Sequence, residues 1–146
     1  MMKAHNIRVR AFSPSAEVED TRKSLLKILP EDARIEVQQL EAELDGGVFK
    51  EPLTVLTSLM DKESMMSEFL KMLRETLDAE DLNQLRQTLD QRVDGSCNFY
   101  IRLSKASAAE RRFKLEDEDA IHVKIKAKCF PADREKAIEM IREWLV

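Results

Sequence analysis

From His5 to Phe12 apolar and polar residues alternate, with Ile7, Val9 and Ala11 on one side and Asn6, Arg8 and Arg10 on the other. A period of two marks a strand with one buried face. Ser13-Pro14-Ser15 then supplies a helix start, and Val18, Thr21, Leu25, Ile28 and Leu29 recur at helical spacing until Pro30 stops the run. Residues 35–44 read as a second strand. Ile35 and Val37 share one parity and Leu40, Ala42 and Leu44 the other, which predicts a bulge near Gln38 and Gln39. Asp45-Gly46-Gly47 ends it.

The middle of the chain reads as helical. Pro52 suits the first position of a short helix with Leu53, Leu56, Leu59 and Met60 inward. Asp61 stands where it could cap the next helix, whose stripe is Met66, Phe69, Leu70, Leu73 and Leu77. Asp78 is placed to cap a third, with Asp81 in the capping-box position, Leu82, Leu85, Leu89 and Val93 inward, and Asp94-Gly95 closing it.

After Gly95 the period returns to two. Phe99, Ile101 and Leu103 alternate with Tyr100, Arg102 and Ser104, and Phe113 and Leu115 alternate with Arg112 and Lys114. Ile121, Val123, Ile125, Ala127 and Cys129 alternate with His122, Lys124, Lys126 and Lys128. These predict three strands. Phe130-Pro131 ends the last, and Arg134, Ala137, Ile138, Ile141 and Leu145 mark a final amphipathic helix.

The predicted order is β-α-β-α-α-α-β-β-β-α. Single-face alternation then implies an α+β fold, a two-layer sandwich with a largely antiparallel sheet of about five strands and helices on one face. A chain of 146 residues matches one domain, so residues 1–146 are expected to form a single unit. Its core should place Ile7, Val9, Phe99, Ile101, Ile121, Val123 and Ile125 against Leu25, Leu26, Ile138 and Ile141.

Composition narrows the function. Apolar residues make up 43% and charged residues 36%, a balance that folds. Three glycines leave neither a dinucleotide-binding G-x-G-x-x-G nor a Walker phosphate loop. No Ser, His and Asp set suggests nucleophilic catalysis, and two histidines offer little for acid/base work, so neither an enzyme nor a cofactor is expected. His5, His122, Cys97 and Cys129 are not spaced as metal ligands, Glu116 to Asp119 lacks a calcium-loop pattern, and no metal is expected. No apolar stretch approaches the ~18 residues of a membrane span. The reading is a cytoplasmic protein in a reducing compartment, with no membrane partner.

Net charge is −4, but it is segregated. Residues 1–12 carry three bases and no acid, residues 13–97 carry ten bases against nineteen acids, and residues 98–136 carry ten against seven. If the apolar parity of the strands faces the helices, Arg8, Arg10, Tyr100, Arg102, Arg112, Lys114, His122, Lys124, Lys126 and Lys128 point the other way. Cations around an aromatic on an open sheet make an RNA platform, because ammonium and guanidinium groups meet phosphates and an aromatic plane stacks a base. The competing readings are a solvated face whose lysines block edge pairing, and a protein interaction or assembly module that docks a partner on its acidic helical layer.

Arg92-Val93-Asp94, then Phe99-Tyr100-Ile101-Arg102 and Lys105, then Asp119-Ala120-Ile121 and Phe130-Pro131-Ala132-Asp133-Arg134-Glu135, stand in an order and spacing that resemble a family of small archaeal proteins. That family is regarded as RNA-binding and exosome-associated, with a fold similar to the large-subunit ribosomal protein that contacts 5S ribosomal RNA. The resemblance is strongest over residues 92–146. It implies RNA as partner, exosome subunits as further partners, and a role in RNA processing or decay. It also adds the loop at Lys105 to the candidate contact surface.

Overall fold

In a computed structural model that describes residues 2–40, 44–45, 48–49 and 53–146, β1 (Ala4–Pro14) leads through a 3-10 turn into α1 (Val18–Ile28). There follow β2 (Glu36–Gln39), the short strands β3 (Leu44–Asp45) and β4 (Val48–Phe49), and β5 (Leu53–Met60). Three helices come next: α2 (Glu63–Thr76), α3 (Ala79–Gln87) and α4 (Leu89–Arg92). The chain ends with β6 (Asn98–Ser104), α5 (Lys105–Ala109), β7 (Ala120–Ala127) and α6 (Arg134–Trp144). Five strands form an antiparallel sheet in the order β2-β5-β1-β7-β6, and β3 pairs with β4 separately. The expected α+β class is present, with an open five-strand antiparallel sheet and helices on one face.

The parity of the strands decides which face the helices cover. Ile7, Val9 and Ala11 of β1, Phe99, Ile101 and Leu103 of β6, and Ile121, Val123 and Ile125 of β7 are buried in one cluster with Leu25, Phe69, Leu73, Leu85, Ile138 and Ile141. Each of these side chains but the small Ala11 gains roughly 1.5–3 kcal/mol on leaving water. Leu26 departs from the expected core: it is 53% exposed, one position round α1 from the buried Leu25. Asp78 caps α3 by accepting the Asp81 amide at 2.8 Å. The Asp81 carboxylate does not complete the box but accepts the Leu115 amide at 3.1 Å. Asp61 lies outside α2, whose N-cap is Lys62 with no side-chain bond.

Two elements differ in kind from the sequence reading. Residues 53–60 are a strand, not a helix. Leu53, Leu56, Leu59 and Met60 mimic helical spacing, but Thr54, Val55 and Thr57 are β-branched, and β5 finds a ladder on both sides, with β1 and β2. The predicted strand at 112–115 reduces to an isolated Leu103–Leu115 bridge. Among the described residues the segment bonds β6 only through the Ser104 amide to the Lys114 carbonyl at 2.8 Å and the Glu116 amide to the Arg102 carbonyl at 3.1 Å. On its other edge the Phe113 amide donates to Thr76 Oγ1 at 3.2 Å and the Phe113 ring packs edge-on against Phe69.

The second strand is shorter than expected. β2 pairs in unbroken register from Glu36–Thr57 to Gln39–Thr54, and the Leu40 amide continues to the Leu53 carbonyl at 2.7 Å, so no bulge forms at Gln38 and Gln39; Ala42, in the second half of the expected strand, lies outside the described residues. Pro52 and the Gly46-Gly47 pair lie outside the described residues. Among the described residues no helix is long and apolar enough to cross a membrane.

Candidate nucleic-acid interface

The register turns the uncovered face into a lattice. Arg8 stands opposite Lys124, and Lys124 opposite Tyr100. In the next row Arg10 stands opposite His122, and His122 opposite Arg102. Asn6, Lys126 and Asn98 form the row on the other side. Directly opposed side chains on one face lie about 5 Å apart. No Asp or Glu occupies a face position of β1, β7 or β6. A shallow hollow of about 510 Å³ opens among Arg8, Arg10, Phe12, Tyr100, Arg102 and His122.

Partial burial and the neighbouring cations act in the same direction on this face. Burial first, and then the neighbouring Arg10, lower the pKa of Arg8, with Tyr100 opposing them. Half-buried His122 is held below its ordinary range by burial, and further by Arg102, Arg10, Arg8 and Lys105. Arg10 Nε is buried and has no hydrogen-bond partner among the described residues. A buried donor without an acceptor costs roughly 1–3 kcal/mol and calls for a missing partner.

Tyr100 is held in place by a turn that precedes its strand. Its hydroxyl donates to Asp94 Oδ2 at 2.9 Å, while the amides of Ser96 and Asn98 donate to Asp94 Oδ1 at 2.9 and 3.0 Å. Cys97 closes the turn in the left-handed region, at φ 65°. Burial pushes the Asp94 carboxyl up, but the bonds from Asn98, Tyr100 and Ser96 outweigh it and bring its pKa down to about 2. The same carboxylate raises the Tyr100 hydroxyl through their hydrogen bond. Tyr100 is 42% exposed, so its ring remains available while its tip is tied.

The structure gathers Arg8, Arg10, Tyr100, Arg102, His122, Lys124 and Lys126 on one face and separates the other predicted residues from them. Lys105 opens the short helix α5 where a loop was expected, and its Nζ donates to the Phe12 carbonyl at 2.6 Å and pairs with Asp119 at 2.7 Å, which ties the start of α5 to the end of β1. Arg112 and Lys114 are exposed on the connector between α5 and β7, outside the three-strand rows. Lys128 follows the end of β7 and lines a different hollow with His5, Asp61 and Glu63. Sequence reasoning passed over Phe12 and Asp94. Phe12 is 37% exposed and meets His122 edge-on with ring centroids 5.9 Å apart. Its signal was parity, since it is in phase with Arg8 and Arg10. That of Asp94 was an Asp-Gly-Ser turn directly before a strand.

Comparison with known proteins bears on this face. A family model described as RNA binding matches residues 6–127. The RNA-binding protein PAB1135 of Pyrococcus abyssi (strain GE5 / Orsay) is 35% identical over 146 residues, covering 99% of this chain and 95% of that protein. The crystal structure of AF2318 from Archaeglobus fulgidus, a member of the DUF54 family, superposes with a TM-score of 0.83 at 27% identity, over 97% of this chain and 99% of that one. The structure of Mth689, a DUF54 protein from Methanothermobacter thermautotrophicus, gives 0.76 at 30% identity over the whole of both chains. The family model spans all three strands of the cationic face, and this chain belongs to the RNA-binding family that it describes.

Proposed function

We propose that the chain is a non-catalytic RNA-binding protein whose contact surface is the open sheet face. Arg8, Arg10, Arg102, Lys124 and Lys126 meet phosphates, and Tyr100 stacks a base. The carrying observation is the row Arg10–His122–Arg102, three adjacent strands of cationic or ionisable groups without a facing carboxylate. Repulsion within such a cluster is relieved by a polyanion. Lys105 keeps the start of α5 in place in this reading, and Arg112, Lys114 and Lys128 flank the surface. The resemblance to exosome-associated proteins and to the 5S-RNA-binding ribosomal protein supports a cytoplasmic role in RNA processing or decay, with residues 1–146 acting as one unit. Co-sedimentation with exosome subunits tests that part separately.

Retardation of single-stranded RNA across a salt series tests the surface. With about five phosphates engaged, log K against log salt should fall with a slope of roughly −3 to −4. No retardation with protein in large excess would favour the protein-docking module instead. Tyr100→Ala should cost about 1–3 kcal/mol of affinity and leave the slope unchanged, because it removes a plane and no charge. Tyr100→Phe keeps the plane and should bind nearly as wild type.

His122 gives a pH dependence. In the free protein its pKa lies below the ~6.5 of an unperturbed imidazole. As pH falls the unfolded chain therefore protonates first, and His122 withdraws stability on the acid side. A phosphate laid over Arg10, His122 and Arg102 reverses the sign, since it favours the imidazolium. RNA affinity should rise by up to roughly tenfold between about pH 7.5 and about pH 5.5. Titrations at both pH values check it, and His122→Gln should remove the difference.

A further inference from the structure

On the same open face, and resting on the RNA reading above, we infer that Phe12 is a second stacking platform and that the ligand is therefore an unpaired stretch of RNA, lying diagonally from Tyr100 across His122 to Phe12. The lattice fixes this line. Tyr100 is on β6, His122 one strand over and one row along, and Phe12 a further strand over and a further row along. Two strand spacings and four residues of rise place the two rings about 16 Å apart. Arg10 and Arg102 flank His122 at the midpoint, so phosphates between the two stacked bases lie over the cationic row. Arg10 Nε, buried and without a hydrogen-bond partner among the described residues, stands beside the same line.

Phe12 suits this role for reasons local to it. Its ring is partly exposed, and it is steadied edge-on by His122 at 88° between planes. Its carbonyl holds the Lys105 ammonium, which keeps the end of β1 from shifting. Across the ladder Phe12 faces Val55, and the neighbouring face positions of β5 are Leu53, Thr57 and Leu59, so the strand beside Phe12 is mostly apolar and uncharged, and β2 beyond it adds Gln38 and the anionic Glu36 to the same face. A phosphate has nothing to gain there, whereas the flat apolar surface of a nucleobase does. In a duplex, successive bases stack about 3.4 Å apart and cover one another, so no two of their faces can reach platforms 16 Å apart.

Affinity for an unpaired octanucleotide and for a fully paired RNA hairpin stem, measured for wild type, Phe12→Ala, Phe12→Tyr and Tyr100→Ala, tests the inference. Wild type should prefer the unpaired strand. Phe12→Ala should weaken that binding by about 5- to 100-fold, with the salt slope and the affinity for the stem unchanged. Phe12→Tyr should restore it, and Phe12→Leu, which keeps apolar bulk and packing, should bind as poorly as Phe12→Ala. Unchanged binding by Phe12→Ala alongside weakened Tyr100→Ala overturns the second platform while leaving the RNA surface intact, and assigns Phe12 with Leu59 to protein contact. A preference for the paired stem overturns the unpaired ligand. Failure of wild type to bind either RNA overturns the RNA reading itself.

Discussion

Phe99→Ala should lower folding stability by roughly 3–5 kcal/mol, the range for emptying an aromatic from a packed core. Phe99 is fully buried near the start of β6, paired with Ile125 across the ladder on the face that the helices cover. For a domain of this size about 2–4 °C of melting temperature accompanies each kcal/mol, so a drop of roughly 6–20 °C is expected in thermal denaturation. Phe130→Ala makes the same chemical change at a residue 96% exposed and should stay within about 0.5 kcal/mol of wild type. The contrast bears on function as well as fold. Phe99 and Tyr100 are adjacent on one strand, so if Phe99 tolerated truncation the strand would be turned over and Tyr100 would be the core residue. A loss below about 1 kcal/mol would remove the cationic face along with the core.

Strands β1, β6 and β7 were legible because their two faces differ as far as side chains can, branched or aromatic apolar inward and cationic outward. Strand β5 was not, for the opposite reason. It turns Thr54 and Ser58 inward with Leu56 and Met60, and presents Leu53, Val55 and Leu59 on the open face, so binary patterning runs partly inverted along it. Polar residues in the core and leucines outside erase a period of two, and the four residues left over happen to fit a helix. The β-branched run was the surviving signal. The apolar open side that hid β5 is also what gives Phe12 apolar neighbours, so the local conflict coincides with a candidate site.

The segment 112–115 failed differently. Its alternation is genuine, yet how far an alternating segment extends a sheet depends on which groups meet its amides, and here the Arg112 amide turns back to the Ser107 carbonyl while those of Phe113 and Leu115 go to the side chains of Thr76 and Asp81, 37 and 34 positions away. The same holds at Lys105. The resemblance marks it as a cation in a loop, but it opens α5 and its ammonium is satisfied by the Phe12 carbonyl 93 residues earlier and by Asp119. Periodicity reports the direction of a side chain relative to its own element. It carries nothing about a partner brought in by another, which is why the face was readable and its hydrogen bonds were not.

The replacement of Arg10 and Arg102 together by Ala should produce the largest loss of RNA affinity of any pair on the face. They flank His122 in one row across three strands, whereas Lys124 stands one row away and Lys126 two rows away. Charge-assisted contacts contribute about 1.5–3 kcal/mol each, and with solvent screening the pair should cost roughly 2–4 kcal/mol, or about 30- to 700-fold. The salt slope should flatten by about 1.4, two phosphates at 0.7 each on a single strand. His122 should respond in the same experiment. With Arg102 and Arg10 gone, two of the charges that hold its pKa down disappear, so the free protein should protonate His122 at higher pH and the pH dependence of binding should shrink. Neither residue packs in the core, so folding stability should hold or rise as repulsion with Arg8 is relieved. Affinities at two salt concentrations and two pH values, with a thermal melt of the same variant, measure all three effects. Weakened binding without a change of slope would mean that the two guanidinium groups act on bases or on structure and not on phosphates.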